Sequence, residues 1–164
     1  MTARPETLLV ATHNEGKREE IEALLSPLGI DVISAAGLDL PVPEETGTSF
    51  AENACLKARA ASRAAGRTAL ADDSGLSVEA LGGAPGVVTA DWAETGNGRD
   101  FTMAMRRVHD ELDAAQAPTP WRAAFVCTLA LFHTDDESAL FEGRVDGRIV
   151  RPMRGSNGHG YDPI

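Results

Sequence analysis

The sequence predicts an α/β protein, a mixed β-sheet with flanking helices and an active site in a cleft. Three observations carry that expectation. Short apolar runs bounded by turn signals alternate with longer segments of helical period, the signature of strand and helix in succession. Two long strand patterns near the end are joined by a short acidic turn, which reads as an antiparallel hairpin added to otherwise crossover-type connections. A length of 164 residues with 43% hydrophobic content suits one domain, 1–164, with a substantial core.

The first strand is Leu8-Leu9-Val10-Ala11, followed after Thr12-His13-Asn14-Glu15-Gly16-Lys17 by an amphipathic helix with Ile21, Leu24, Leu25 and Leu28 inward. Gly29 stops that helix, and a second strand runs from about Ile30 to Ser34. The segment Gly37 to Gly47 holds Pro41, Pro43, Glu44 and Glu45 and reads as an extended loop. Ser49 with Glu52 three residues on forms a capping box for a helix from Phe50 to about Ala65. Thr68 to Ala71 is a short strand and Ser77 to Leu81 another, before the tight turn Gly82-Gly83-Ala84-Pro85-Gly86. A helix from about Asp100 to Ala114 places Phe101, Met105, Val108 and Leu112 on one face. The hairpin strands are Arg122 to Phe132 and Ala139 to Val150, joined through Asp135-Asp136-Glu137.

Charge and composition exclude several functions. With 15 basic and 25 acidic residues the net charge is −10, whereas a nucleic-acid polymer or an anionic membrane calls for a basic footprint. A small anion held by a few placed lysines and a metal remains compatible. Cys55 and Cys127 are too few and too far apart for a disulfide framework or a zinc knuckle, and read as buried free thiols. No stretch is long and apolar enough to span a membrane, and Met1 to Glu6 has no signal-peptide pattern, so a cytoplasmic protein is expected.

Several segments carry chemistry. Asn14 is a good N-cap, which puts Lys17 in the first helical turn, where the helix dipole disfavours a cation unless an anion is near. Thr12 and Asn14 add polar groups beside free backbone N–H groups, and Gly16 permits close approach, although the Walker ending is absent because Arg18 follows Lys17. Taken alone, the hexapeptide fits either a capped surface helix or an anion site. In the helix from Phe50, Asn53 and Lys57 project with Phe50, Ala54 and Ala61, opposite Glu52, Arg59 and Arg63. A lysine on that side either snorkels out or points its ammonium into a polar site, since burying it unpaired is costly. Asp72 and Asp73 end an apolar strand, where like charges require a cation or proton; the alternative is an Asp-Ser-Gly turn. Glu44 and Glu45 stand ready to add oxygen ligands, or are simply solvated. Gly158-His159-Gly160-Tyr161 is a flexible backbone carrying flat rings, suited to stacking on a base or to a surface loop. His13, His109 and His133 have no metal-ligand spacing.

Six motifs occur in order: Thr12-His13-Asn14-Glu15-Gly16-Lys17; Glu44-Glu45-Thr46-Gly47; Ser49-Phe50-Ala51-Glu52-Asn53-Ala54 with Lys57-Ala58; Ala71-Asp72-Asp73-Ser74-Gly75; Gly82-Gly83-Ala84-Pro85-Gly86-Val87; and Gly158-His159-Gly160-Tyr161-Asp162-Pro163. In this the chain resembles the inosine triphosphate pyrophosphatase family, the dITP/XTP pyrophosphatases, from Leu8 to Ile164. The resemblance implies hydrolysis of non-standard purine nucleoside triphosphates (ITP, dITP, XTP) to the monophosphate and pyrophosphate, with Mg²⁺, by a homodimer of that family's mixed-sheet fold.

The implied roles are these. The loop Thr12, His13, Asn14, Glu15, Gly16, Lys17 binds the triphosphate, and Lys57 is a second phosphate lysine. Asp73 is general base and metal ligand, supported by Asp72. Glu44 matches the loop metal ligand better, with Glu45 the alternate. Ser74 contacts substrate, as do His159, Gly160, Tyr161 and Asp162. Two departures stand out. Position 159 is usually Phe in the family and is His here, a smaller ring that can still stack. The family continues past Asp162-Pro163-Ile164 through a Lys and a Ser-His-Arg segment that reads the purine, so weak base discrimination, lower stability and uncovered core surface are expected of these 164 residues. Two other functions fit the same departures: a catalytically dead nucleotide-binding protein, or a pyrophosphatase for modified pyrimidine triphosphates.

Overall fold

A computed structural model of the chain describes residues 6–134 and 137–164. Met1 to Pro5, and Asp135 and Asp136 of the expected hairpin turn, lie outside the described residues.

The elements follow in the order β1 (Thr7–Val10), α1 (Glu15–Leu25), β2 (Asp31–Ser34), α2 (Phe50–Ala65), β3 (Ala69–Val78), β4 (Glu94–Thr95), β5 (Gly98–Arg99), α3 (Phe101–Ala114), β6 (Arg122–Phe132) and β7 (Ser138–Arg148). Five strands form one sheet in the order β2-β1-β3-β6-β7, and β4 pairs with β5 as a small antiparallel ribbon. β1 runs parallel to β2, with Leu9 opposite Ile33, and parallel to β3, with Val10 opposite Leu70. β6 and β7 are neighbours joined by a link too short for a parallel crossover, so they are antiparallel. The sheet is therefore mixed, as the alternation of connections predicts.

The chain divides into two compact units. The first comprises the described residues of Met1–Asp73 and Thr128–Phe141; the second comprises Ser74–Cys127 and Glu142–Ile164. β3, β6 and β7 each begin in one unit and end in the other. In the first unit, α2 lays Ala54 and Ala58 on Ala71, Ala130 and Phe132, while Ala61 joins Leu9 and Ala69. Small residues on the helix let its backbone approach the sheet closely. In the second unit, α3 supplies Ala104, Met105, Val108 and Leu112 to a core that also holds Leu76, Val78, Ala123, Ile149, Tyr161 and Ile164.

Local chemistry sets the boundaries. The Ser49 hydroxyl accepts from Glu52 N at 3.2 Å and starts α2, and Gly66 in the left-handed region (φ 61°) ends it. The Glu52 carboxylate accepts chiefly from Thr48 N, at 2.6 Å, and also takes a weaker backbone hydrogen bond from Ser49, which completes the expected box. Asp100 caps α3 by accepting from Met103 N at 2.9 Å.

Three expectations are corrected. The two short strands expected at 68–71 and 77–81 are one ten-residue strand, β3; β1 pairs with its start, at Ala69 and Leu70, and β6 is its neighbour on the other side, so sheet pairing overrides the turn preference of Asp-Ser-Gly. α1 buries none of its residues: Ile21 and Leu25 are half-buried, while Leu24 and Leu28 are 73% and 55% exposed. A short 3₁₀ turn at Ser26–Leu28, carrying Pro27, breaks the α period and turns Leu28 outward. Both cysteines are free, and half-buried rather than buried.

Truncating a core side chain of α3 should expose the contrast with α1. Leu112→Ala, at a fully buried position, is expected to lose about 2–5 kcal/mol of stability, and Leu24→Ala less than about 0.5 kcal/mol, by urea denaturation. Comparable losses in the two variants would contradict the packing described.

Candidate active site

The parallel pairing of β1 with β3 stops at Leu70, so Asp72 and Asp73 lie just past the end of β1, at the level of the loop that leaves it. That is the end of a parallel sheet at which ligands bind. In the loop, Thr12 is buried and its hydroxyl accepts from Asn14 N at 3.0 Å. Asn14 caps α1, its side chain accepting from Lys17 N at 3.3 Å. His13 is exposed and donates from Nε2 to Leu40 O at 2.8 Å, tying this loop to the start of the proline-framed loop. Glu15 is engaged by Arg18, and Gly16 sits in the first turn, where a Cβ would stand 3.3 Å from Asn14 Oδ1.

Lys17 finds the anion that its place in the first helical turn demands: Nζ lies 2.6 Å from Asp72 Oδ2. Lys57 resolves the choice between snorkelling and an occupied polar site in favour of the second. Its side chain is only 14% exposed, and Nζ reaches Glu45 Oε1 at 2.8 Å and Asp73 Oδ1 at 3.4 Å.

The two aspartates do not act as one pair. Successive side chains on a strand point to opposite faces, and β3 sends Asp73 to the face covered by α2, where Asn53 and Lys57 meet it. Asp72 goes to the other face and to Lys17. Each carboxylate thus has its own lysine, which relieves the like-charge conflict of the adjacent pair.

Asp73 is 7% exposed, and burial pushes its carboxyl above the ordinary aspartate range. Lys57, the hydrogen bond from Asn53 and Glu45 follow as smaller influences, the first two opposing that rise and Glu45 adding to it. Asn53 is the partner that motif reading underrated. It is 2% exposed, its Nδ2 donates to Asp73 Oδ2 at 3.2 Å, and its Oδ1 accepts from Gly47 N at 2.8 Å. Gly47 is obligatory there, since a Cβ would fall 2.5 Å from Asn53 Oδ1. The available signal was an amide on the apolar face of a helix, because buried polar groups are there to be bonded. Asn53 therefore fixes both the carboxylate and the loop that carries Glu45.

Among the described residues, no three His, Cys, Asp or Glu side chains gather as a closed metal cage. The donor chemistry suits a different kind of cation site. Glu45 and Asp73 already share one cation, the Lys57 ammonium, and Mg²⁺ is commonly held by one or two carboxylates plus phosphate oxygens and water. Glu44, the better match for the loop ligand, and Glu45, the alternate, are both exposed, and it is Glu45 that reaches Lys57.

In the second unit, Ser74 is exposed on β3. His159 is an exposed ring, its backbone N–H held by Asp162 Oδ2 at 2.8 Å, and it lies 5.9 Å from Phe101 between ring centroids. Gly158 has no room for a side chain, because a Cβ would meet Asp162 Cβ at 2.4 Å; Gly160 adopts a positive φ of 62° beneath Phe101. Tyr161, expected as a second stacking ring, is instead buried at 3% exposure. Its hydroxyl donates to Thr89 O at 2.9 Å, and burial pushes its pKa up to about 12. A phenol whose hydroxyl finds a carbonyl inside the core packs there rather than offering its face.

These features define an α/β protein with lysine and carboxylate pairs gathered at the ligand-binding end of a parallel strand pair. Residues 8–164 match the Ham1 family, and the chain belongs to it. It is 57% identical to a dITP/XTP pyrophosphatase of Ruegeria pomeroyi over 97% of this chain and 78% of that protein, and 53% identical to one of Rhizobium meliloti over 96% and 75%. Among solved structures, a HAM1 protein from Coxiella burnetii superposes with a TM-score of 0.89 at 38% identity, covering 96% of this chain and 80% of that one. A nucleoside-triphosphatase described as a dITP/XTP pyrophosphatase from Mycobacterium abscessus gives 0.82 at 38% identity, covering 96% and 82%.

The raised Asp73 carboxyl has a measurable consequence. A folded-state value above the unfolded one means that the native protein holds the proton more tightly, so stability falls as pH rises from the ordinary aspartate range, about 4, through the folded value. Asp73→Asn keeps the Asn53 and Lys57 neighbourhood but removes the buried charge. Thermal melts of both proteins across this window are expected to show the variant gaining on wild type as pH rises; parallel curves would contradict the assignment.

Proposed function

We propose that this protein hydrolyses non-standard purine nucleoside triphosphates, ITP, dITP and XTP, to the monophosphate and pyrophosphate, and so cleanses the nucleotide pool. The observation that carries this reading is the buried Asp73 carboxylate, whose proton affinity burial raises and which Asn53 and Lys57 contact, with Glu45 on the same lysine. Membership of the Ham1 family and the names of the relatives support it, and they do not favour a nucleotide-binding protein without activity or a pyrimidine pyrophosphatase.

Lys17 and Lys57 hold triphosphate oxygens, assisted by Thr12 and the N–H groups at the start of α1. Binding exchanges their internal partners, Asp72 and Glu45, for phosphate. Asp73 orients a water and takes its proton as the oxygen attacks phosphorus, and the pyrophosphate leaves in line. Asp73 and Glu45 are the side chains that would hold Mg²⁺, which when bound would offset the charge on the triphosphate. His159 is assigned to stacking on the base. A homodimer in the cytoplasm completes the proposal, supported by exposed Leu140, Phe141 and Val145 on the edge strand β7; among the described residues no helix is long and apolar enough to cross a membrane.

Pyrophosphate release from ITP, XTP, dUTP and ATP, with and without Mg²⁺, tests the reading. Mg²⁺-dependent turnover of the 6-oxo purines is expected, with ATP disfavoured because its 6-amino group leaves an acceptor-reading site unpaired; equal rates on ITP and ATP would count against it. Asp73→Asn is expected to lower the rate by about 10²–10⁴-fold. For the metal ligand, Glu45→Gln is expected to raise the Mg²⁺ concentration needed for half-maximal rate, and Glu44→Gln to leave it unchanged. The reverse pattern would move the metal to Glu44.

A further inference from the structure

Glu45 stands in a span that packing supports poorly. Pro41, Val42, Glu44, Glu45 and Thr46 are exposed, and Pro43 is half-buried. A cavity of about 70 Å³ lies between the span and α2, lined by Pro41 and Pro43 of the loop and by Ala60 and Ala64 of the helix, with His13 and Lys57 also in its wall. The loop does not close on the helix there, since Ala60 and Ala64 remain exposed. Chain that runs over a void and faces short side chains gains few dispersion contacts. The place of Glu45 therefore depends on hydrogen bonds at the ends of its span.

Each end has a tether from another element. At the far end, Asn53 Oδ1 on α2 accepts from Gly47 N at 2.8 Å. At the near end, Leu40 is held through both of its backbone groups: its N–H donates to Ala35 O at 3.0 Å, and its carbonyl accepts from His13 Nε2 at 2.8 Å. The first of these bonds is local, whereas the second reaches across to the loop that leaves β1. The prolines carry the effect of that second bond onward. Pro41 and Pro43 have a fixed φ, and the residues before them, Leu40 and Val42, are restricted to extended backbone. A carbonyl fixed at Leu40 thus sets the course of the chain as far as Pro43. Glu45 follows two residues on, where its Oε1 meets Lys57 Nζ at 2.8 Å.

We infer that His13 is a positioning residue: its ring, turned from the first loop to Leu40 O, sets where the Glu45 carboxylate stands beside Lys57, and through it how tightly Glu45 and Asp73 bind Mg²⁺. The inference rests on the proposed pyrophosphatase reaction and on Glu45 as its metal ligand. It makes His13 a strut between two loops rather than a contact to phosphate.

His13→Gln keeps a donor where Nε2 stands; the amide of His13→Asn ends where Nδ1 stands, short of Leu40 O; His13→Ala removes the group. In pyrophosphate release from ITP, His13→Ala and His13→Asn are expected to raise the Mg²⁺ concentration for half-maximal rate by about 3–10-fold, the range one hydrogen bond supports. At saturating Mg²⁺ their kcat is expected within about twofold of wild type, and His13→Gln within about twofold throughout. In a Glu45→Gln background, adding His13→Ala is expected to change the Mg²⁺ requirement by less than about twofold, because both substitutions act through one carboxylate. A second measurement uses neither metal nor substrate. Cleavage after Glu44 and Glu45 by a glutamate-specific protease, read by mass spectrometry, is expected about 3–10-fold faster in His13→Ala and His13→Asn than in wild type and His13→Gln, since cleavage follows opening of the span. A wild-type value of either quantity in His13→Ala, or His13→Gln as impaired as His13→Ala, would overturn this inference while leaving the proposed reaction standing. Absence of pyrophosphate release by the wild-type protein would overturn the reaction itself, and the cleavage rates would then decide alone whether His13 holds the loop.

Discussion

Asp73 is a carboxylate buried in the interior of a sheet, and a charge in that position has to be answered from the surrounding chain. Much of the first unit can be understood as that answer. Asn53 and Lys57, on adjacent turns of α2, reach it from one side, which requires α2 to lie close over β3. Close approach is why the contact face of the helix is Ala54, Ala58 and Ala61, without a larger apolar side chain among its buried residues. The same amide that bonds Asp73 also bonds Gly47 N, so the loop ahead of α2 is placed by the demand made on its helix.

The balance at Asp73 is unequal. Desolvation raises its proton affinity more than one lysine and one amide lower it, and the carboxyl stays above its ordinary range. A fully compensated carboxylate would be a poor base; a wholly uncompensated one would stay protonated. Lys57 is divided between Asp73 and Glu45 at 3.4 and 2.8 Å, which keeps it from being a dedicated partner of either. Lys17 and Asp72, on the other face of the strand, form a second pair of the same composition but more open to water. Both lysines are already oriented by carboxylates, so a ligand that exchanged for those partners would cost less side-chain freedom on binding.

The second unit shows how core packing and an exposed ring share one short turn. Tyr161 anchors the segment through Thr89, Phe101 packs edge-on against Tyr161, and Asp162 holds the His159 N–H. The effect is to leave His159 as the exposed ring of this segment while its neighbours are fixed. Substituting an imidazole for a larger ring at that position changes the exposed surface without disturbing the anchor.

The alternation of strand and helix, the caps at Asn14 and Ser49 and the stop at Gly29 were legible in the sequence, because each depends on residues within a few positions of one another; Lys17, Lys57, Asp72 and Asp73 were legible as chemistry-bearing residues, each from its own segment. The continuity of β3 through Asp-Ser-Gly was not, since local turn preference was overruled by the strand's place in the sheet, with β1 paired to its start and β6 on the other side. Nor were the exposure of Leu24, the burial of Tyr161, or the preference for Glu45 over Glu44 beside Lys57. Periodicity assigns a residue to a face of its own element, but what covers that face is set by another part of the chain. The sequence by itself determined which elements form and which chemistry they carry; only the tertiary structure decided which carboxylate meets which lysine, because those partners are brought together by sheet pairing and helix packing across long separations in the chain.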